Sequence, residues 1–221
     1  MINIFDVNSI AFVLLNYQMS YVELFGTLFT AISVYLAAKN KISSWPIGLI
    51  GVLLYLFLFY QIHLYADLIE QIYYLITGFW GWWLWSHPRK TEEDITSSEL
   101  KITANNKQET VVEWVIIVIG SILLGYFISN IDKLFPTIFI EPASYPYIDS
   151  FTTVLSFVAN YLLMKRKLDN WYMWIIVDVI GVWLYFVKGT PLLSILYFGF
   201  LINAIVGQFK WTKTYKSYEK I

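Results

Sequence analysis

The sequence KNKISSWPIGLIGVLLYLFL at residues 39–58 has a counterpart later in the chain, KRKLDNWYMWIIVDVIGVWL at residues 165–184. Shifting the chain by 126 residues superposes residues 21–85 on residues 147–211 without a gap. Residues identical to their shifted partners are Tyr21, Phe25, Thr27, Tyr35, Leu36, Lys39, Lys41, Trp45, Ile50, Leu58, Ile69, Leu75, Ile76, Gly81 and Trp85. The matching tryptophans and Gly81 are the strongest evidence for a repeat, because any two apolar helices share leucine and isoleucine by chance. The sequence therefore predicts an internal repeat.

The composition surrounding this repeat is that of a membrane protein. Of the 221 residues, 58% are hydrophobic and only 14% are charged, against roughly 25% charged in soluble domains. The apolar residues form blocks of about 20, the length at which a helix spans a bilayer. With boundaries good to about four residues, we predict helices at 21–38, 44–62, 65–86, 111–129, 147–164, 170–187 and 191–210.

These seven helices predict an all-α membrane protein built from two parallel three-helix repeats. Repeats with an odd number of helices would point in opposite directions if joined directly, and the fourth helix crosses once more to make them parallel. The expected organisation is an N-terminal segment (1–20), a first repeat (21–86), a cytoplasmic loop, linker helix and outer loop (87–146), a second repeat (147–211) and a tail (212–221). Transporters are often built from such repeats, with the substrate bound near the midplane.

The positive charges predict the orientation, since cytoplasmic loops carry excess Lys and Arg. Thirteen of the 15 Lys and Arg residues follow the first, third, fifth and seventh helices, and only Lys133 and Lys188 fall on the other side. We therefore expect the N-terminus outside and the C-terminus inside. Residues 1–19 lack the features of a signal peptide and predict an interfacial or partly inserted segment, with an extra spanning helix as the alternative.

The chain lacks the usual residues for metal or thiol chemistry. It has no cysteine, and its two histidines lie far apart in sequence. Its net charge of −1 provides no field for nucleic acid. We therefore predict no metal, no cofactor and no nucleic-acid partner. A membrane-embedded enzyme, which would need a nucleophile with a base or a metal cluster, is a remote alternative, and a scaffold would have no use for buried acids.

Ionisable residues at bilayer depth are costly and therefore become candidates for function. Asp178 is the deepest acid, in the middle of the sixth helix. Helical spacing of three to four residues places it on one face with Trp174 and Tyr185. The corresponding candidates on the third helix are Asp67, Glu70, Gln71 and Tyr74, and neutral polar candidates elsewhere are Asn160 and Asn203.

These candidates suit a flat, polar, cationic heteroaromatic ligand. A carboxylate beside aromatic rings would bind it by charge pairing, stacking and cation–π attraction. The alternative is structural, since Trp and Tyr also form interfacial belts and Asn side chains also bond between helices. For Trp174 with Asp178 we favour the site, whereas for Asn160 and Asn203 both interpretations stay open.

Several motifs resemble the Pnu family of bacterial vitamin transporters. They are KISSWPIGLI (41–50), QIHLYADLIEQIYY (61–74), GFWGWWLW (78–85) and NWYMWIIVDV (170–179), which looks like the family pattern W-x-x-W-x-x-x-N/D. The resemblance covers about residues 21–211. It implies a SWEET-like 3+1+3 fold in the bacterial cytoplasmic membrane and facilitated diffusion of a B-vitamin precursor. It also implies trapping by a cytoplasmic kinase, and ligand contacts at Gln71, Trp174 and Asp178.

The resemblance leaves the vitamin open. Nicotinamide riboside is the first expectation, with thiamine as the alternative and riboflavin or another nucleoside behind them. Glu70 departs from the apolar residue usual in the nicotinamide riboside branch, and its carboxylate could bond the aminopyrimidine of thiamine. The oligomeric state also stays open, a homo-oligomer being possible.

Overall fold

The structure is a computed structural model that describes residues 4–14, 17–61, 65–87, 101–137, 142–187 and 191–218, without the side chains of residues 65–67, 69, 191 and 192. The chain divides into two compact units. Unit 1 comprises Met1–Lys101 and Phe209–Ile221, and unit 2 comprises Ile102–Gln208.

The chain opens in unit 1 with a β-hairpin. Strands β1 (Ile10–Leu14) and β2 (Tyr17–Ser20) pair antiparallel, so the alternative of an extra spanning helix in this segment is wrong. The Tyr17 hydroxyl donates a hydrogen bond to the Glu23 carboxylate, and burial together with this carboxylate raises the pKa of Tyr17 above its ordinary value. The Ser20 hydroxyl caps the helix that follows by accepting from the Glu23 backbone N–H at 3.3 Å.

The remaining elements are helical. Unit 1 continues with α1 (Tyr21–Ala38), α2 (Ser44–Gln61) and α3 (Tyr65–Ser86). Unit 2 contains α4 (Lys107–Ile128), the single turn α5 (Ile131–Leu134), α6 (Pro146–Met164) and α7 (Asn170–Val187). Helix α8 (Pro191–Tyr218) runs from unit 2 into unit 1, which it enters at Phe209.

The long helices in the described part of the chain lie where the sequence predicts them, with two differences at their ends. Helix α4 begins at Lys107 rather than at residue 111, because Asn106 and Glu109 form a capping box that satisfies the first backbone N–H groups. Helix α8 continues past residue 210 to Tyr218, so much of the predicted tail is helical.

Five of these helices have the length and apolarity of membrane spans: α1, α2, α4, α7 and the part of α8 from Leu193. Helix α4 shows this most clearly, since Ile122, Leu123 and Tyr126 are each more than half exposed. A soluble protein rarely exposes such a continuous apolar surface. The chain is therefore a multi-pass membrane protein whose described residues are mostly helical.

The turns after α1 and α6 have the same hydrogen bonds, 126 residues apart. The Lys41 N–H donates to the Leu36 carbonyl at 2.9 Å, and the Lys167 N–H donates to the Leu162 carbonyl at 2.9 Å. In each turn the residue before the lysine has φ of 57°, the left-handed conformation that closes a helix in a Schellman motif. The repeat in sequence is therefore also a repeat in backbone structure.

A tryptophan covers a glycine at equivalent places in both units. In unit 1 the Trp45 ring of α2 lies where a Cβ on Gly81 of α3 would be. In unit 2 the Trp171 ring of α7 would lie 2.8 Å from a Cβ on Gly207 of α8. The conserved spacing of these four residues in the two halves of the chain thus has a packing reason, the close approach of two helices.

Candidate functional site

The predicted site residues fall into two groups, one in each unit. Asp67, Glu70, Gln71 and Tyr74 lie on α3 in unit 1. Asn160 on α6, Trp174, Asp178 and Tyr185 on α7, and Asn203 on α8 lie in unit 2. Each group has its own geometry and its own chemistry.

The α3 group is organised around a carboxylate. The Tyr74 hydroxyl donates a hydrogen bond of 3.0 Å to Glu70 Oε1, one helical turn away. The neighbouring Gln71 is 9% exposed, so its amide is held inside the protein. The side chain of Asp67 lies outside the described residues. This part of α3 presents a hydrogen-bonded acid beside a buried amide, a combination that can accept from and donate to a polar ligand.

The α7 group surrounds the buried acid. Asp178 is 4% exposed, and the successive spacing of Trp174, Asp178, Gly181 and Tyr185 is four, three and four residues. These intervals place all four on one helix face. The Trp174 side chain packs against the apolar cluster of unit 2, whose buried members include Leu155 of α6. The acid is therefore held on an aromatic face.

A tyrosine from α8 lies against this same face. The Tyr197 ring occupies the place where a Cβ on Gly181 would be, and its centroid lies 4.9 Å from that of Tyr185 with the rings tilted by 35°. Gly181 therefore permits the close approach of Tyr197. In α-helical geometry Gly181 is one turn from Asp178, so the Tyr197 ring lies against the same α7 face that carries the acid.

Sequence reasoning from helix faces missed Tyr197. A signal was available in the repeat, because Tyr197 stands 126 residues after Gln71 and therefore occupies the position of a predicted site residue. In the same way Asn203 corresponds to Thr77, which is buried at 6% exposure. The Thr77 hydroxyl donates to the Tyr73 carbonyl at 2.8 Å, within its own helix.

The two asparagines are placed differently. Asn160 is buried at 9% exposure and follows Ala159, a member of the apolar cluster of unit 2. Asn203 is half-buried on α8. Both residues make further interactions within the protein, which agrees with either the structural or the ligand-binding interpretation.

An apolar helical framework with acids and aromatic rings held inside it is typical of small-molecule transporters, whose polar residues at depth mark the substrate path. A profile of the family described as nicotinamide mononucleotide transporter matches residues 20–213. The chain belongs to this family. The resemblance to Pnu transporters is thereby confirmed, and so is the prediction of a transporter rather than an enzyme.

Named relatives cover most of the chain. The nicotinamide riboside transporter PnuC of Escherichia coli is 29% identical over 211 residues, covering 88% of this chain and 86% of that protein. PnuC of Neisseria mucosa is 29% identical over 192 residues, covering 83% and 68%. The riboflavin/roseoflavin transporter RibM of Streptomyces davaonensis is 23% identical over 190 residues, covering 86% and 84%.

A solved structure has the same fold. The crystal structure of the vitamin B3 transporter PnuC superposes with a TM-score of 0.65 at 25% identity, covering 89% of this chain and 83% of the other.

Proposed function

We propose that the protein carries nicotinamide riboside across the bacterial cytoplasmic membrane by facilitated diffusion. The observation that carries this proposal is Asp178, a buried carboxylate on a face of α7 shared with Trp174, Tyr185 and the Tyr197 ring. Nicotinamide riboside has a flat pyridinium ring with a fixed positive charge. The ring would stack on the aromatic side chains while its charge pairs with the acid.

The cost of burying Asp178 supports a cationic substrate. An unpaired charge in a medium of low polarity is unfavourable by several kcal/mol, and a binding cation offsets that cost during each passage. The α3 group of unit 1 has a chemistry of its own that also fits this substrate. The Gln71 amide suits the carboxamide of the substrate, and the Glu70 carboxylate with the Tyr74 hydroxyl suits ribose hydroxyls.

The charge of the candidate residues favours the riboside over the mononucleotide that the family description names. A phosphate group adds about −1.5 to −2 charges near neutral pH. The candidates comprise three acids, Asp67, Glu70 and Asp178, and no Lys or Arg. In either unit a phosphate would be repelled by the acids of that group and would have no cationic partner among the candidates, so the uncharged ribose is the better fit.

Thiamine is the second candidate substrate. It is also a cationic heteroaromatic, and the Glu70 carboxylate, positioned by Tyr74 at 3.0 Å, is a suitable acceptor for its aminopyrimidine. Riboflavin, the substrate named for RibM, ranks lower because its neutral ring offers Asp178 no charge to pair with.

We further propose the 3+1+3 arrangement, with seven spans, two parallel repeats and α4 as the linker. The identical turns after α1 and α6 and the two tryptophan–glycine pairs support it. Helices α3 and α6 would also span the membrane. They are less apolar than the other five helices because they carry polar site residues. The distribution of Lys and Arg supports an outside N-terminus and an inside C-terminus.

Uptake into proteoliposomes tests the proposed function. At zero membrane potential, labelled nicotinamide riboside should enter until its inside and outside concentrations are equal, and dissipating a proton or sodium gradient should leave the rate unchanged. Enclosing a kinase that phosphorylates the riboside, with ATP, should then drive accumulation beyond equality. Accumulation without the kinase, or loss of uptake when the gradients are dissipated, would contradict facilitated diffusion.

Asp178→Ala tests whether the Asp178 carboxylate binds the substrate, and Asp149→Ala is its matched control. Asp149 lies in the first turn of α6, where an acid complements the helix dipole and need not contact substrate. We expect Asp178→Ala to abolish uptake while the protein inserts normally, and Asp149→Ala to retain uptake. Normal transport by Asp178→Ala would exclude Asp178 from the site.

A further inference from the structure

A basic cavity opens at the end of α1 in unit 1, away from the candidate site. Its volume is about 330 Å³. Four of its eight lining residues are lysines, Lys39 and Lys41 from the turn after α1, and Lys210 and Lys213 from α8. No lining residue is acidic. We call this feature the four-lysine cavity.

Backbone groups beside the four-lysine cavity are hydrogen-bonded within unit 1. The turn N–H groups of Lys39 and Lys41 donate to carbonyls of the last turn of α1, and the Trp211 indole Nε1 donates to the Ala37 carbonyl at 3.1 Å. The carbonyl oxygens of Leu36 and Ala37 are therefore engaged within the protein. Within the described part of the chain, Lys41, Lys210 and Lys213 form no ion pair.

The equivalent turn in unit 2 already holds an anion. Lys167, which stands 126 residues after Lys41, has its Nζ 3.0 Å from a carboxylate oxygen of Glu109. The segment before α4 lies beside this turn. The Thr103 backbone N–H donates to the Arg166 carbonyl at 3.1 Å, and the Thr103 carbonyl accepts from the Leu168 N–H at 2.8 Å. The same backbone turn thus presents a lysine to an internal carboxylate in one repeat.

The first lysine of each turn, Lys39 or Lys165, lies over a tyrosine ring in both repeats. Lys39 Nζ lies 4.2 Å from the centroid of Tyr35, and Lys165 Nζ lies 5.7 Å from the centroid of Tyr161. The repeats therefore differ at the second lysine of the turn, which is Lys41 in unit 1 and Lys167 in unit 2. Lys167 is neutralised by Glu109, whereas Lys41 faces the two additional lysines of α8.

We propose that the four-lysine cavity binds a phosphate group. Its volume admits an oxyanion, its four lysines favour one with several negative charges, and lysine ammonium groups bind phosphate as point charges. Two sources share this chemistry, the headgroup of an anionic lipid and free inorganic phosphate. Clusters of four or more basic residues next to a membrane helix are typical of contacts with anionic headgroups.

The test compares a Lys41→Gln/Lys213→Gln variant with a Lys107→Gln/Lys133→Gln control. Both remove two positive charges from exposed positions, but only the first alters the cavity. Binding is measured with phosphatidylglycerol in nanodiscs, against phosphatidylcholine alone, and with inorganic phosphate in detergent, at constant ionic strength. We expect the cavity variant to bind about 30-fold more weakly, each lysine contributing about fivefold, and the control to bind as the unaltered protein does.

The measurements with phosphatidylglycerol and with inorganic phosphate identify the source of the bound phosphate group. Binding of phosphatidylglycerol alone assigns the cavity to a lipid headgroup, and binding of inorganic phosphate assigns it to the free anion. The single variant Lys213→Gln, expected to weaken binding about fivefold, serves if the double variant does not fold. Equal loss in the cavity variant and the control, or no binding of either probe to the unaltered protein, would overturn the proposal.

Discussion

The indole Nε1 of Trp211 donates a hydrogen bond of 3.1 Å to the backbone carbonyl of Ala37, 174 residues earlier in the chain. Both residues belong to unit 1, and Trp211 is completely buried. Its ring also lies 5.9 Å from that of Trp85, its counterpart in the first repeat. The end of α8 is thereby attached to the end of α1, beside the four-lysine cavity.

Trp211→Phe should destabilise the protein. Phenylalanine retains an aromatic ring but has no N–H, so the hydrogen bond to Ala37 is lost at a cost of about 1 kcal/mol, with a further loss from the smaller ring. The control is Trp83→Phe at a residue 57% exposed, where a change within about 0.5 kcal/mol is expected. Thermal unfolding in detergent measures both, and equal midpoints for the two variants would show that the hydrogen bond does not stabilise α8.

Gly207→Ala should also lower stability, because the added Cβ would meet the Trp171 ring at 2.8 Å. Overpacking of this kind costs about 1–3 kcal/mol. Gly199→Ala is the matched control on the same helix, with no atom within 4 Å of its added Cβ. There the better helix propensity of alanine favours folding by up to about 1 kcal/mol. A Gly207→Ala protein as stable as Gly199→Ala would refute the packing role of the tryptophan–glycine pair.

Gly181→Ala tests whether Tyr197 belongs to the site. Its Cβ would displace the Tyr197 ring from the α7 face, so we expect a rise of about tenfold in the KM for nicotinamide riboside, the loss of roughly 1.4 kcal/mol of binding. Uptake into proteoliposomes measures it, with Gly199→Ala again as the control. An unchanged KM in a folded Gly181→Ala protein would exclude Tyr197 from substrate contact.

Glu70→Leu tests the choice between the two vitamins. If Glu70 accepts from the aminopyrimidine of thiamine, the variant should weaken any thiamine binding by about 10- to 150-fold, since a hydrogen bond to a charged group contributes about 1.5–3 kcal/mol. Tyr74→Phe removes only the 3.0 Å bond that orients the carboxylate and should have a smaller effect. Competition against labelled nicotinamide riboside measures both. An unchanged ranking of the vitamins would place Glu70 in a solvated outer vestibule.

The sequence predicts the helices well because their apolar blocks are separated by polar or proline-containing loops. It misses the start of α4, because the polar first turn hides the helix although Asn106 and Glu109 carry the spacing of a capping box. It also misses the continuation of α8 beyond Trp211, where lysines replace the apolar residues of a span. The sequence between Ile10 and Ser20 contains no Asn-Gly or Asp-Gly dipeptide, the usual signal for a hairpin, so the two strands are not predicted from it.

The site is less predictable than the fold. The face of α7 follows from helical spacing, and the burial of Asp178 agrees with its predicted depth. The position of Tyr197 depends on how closely α8 approaches Gly181, a tertiary contact that spacing within one helix does not encode. Only the repeat, which aligns Tyr197 with Gln71, connects it to the candidate residues in advance.

Titration calorimetry of the purified protein with nicotinamide riboside and with thiamine tests the central claim most directly. We predict saturable binding of nicotinamide riboside, tighter than that of thiamine, and its loss in Asp178→Ala. Tighter binding of thiamine would contradict the assignment of nicotinamide riboside and make Glu70 the leading residue for selectivity.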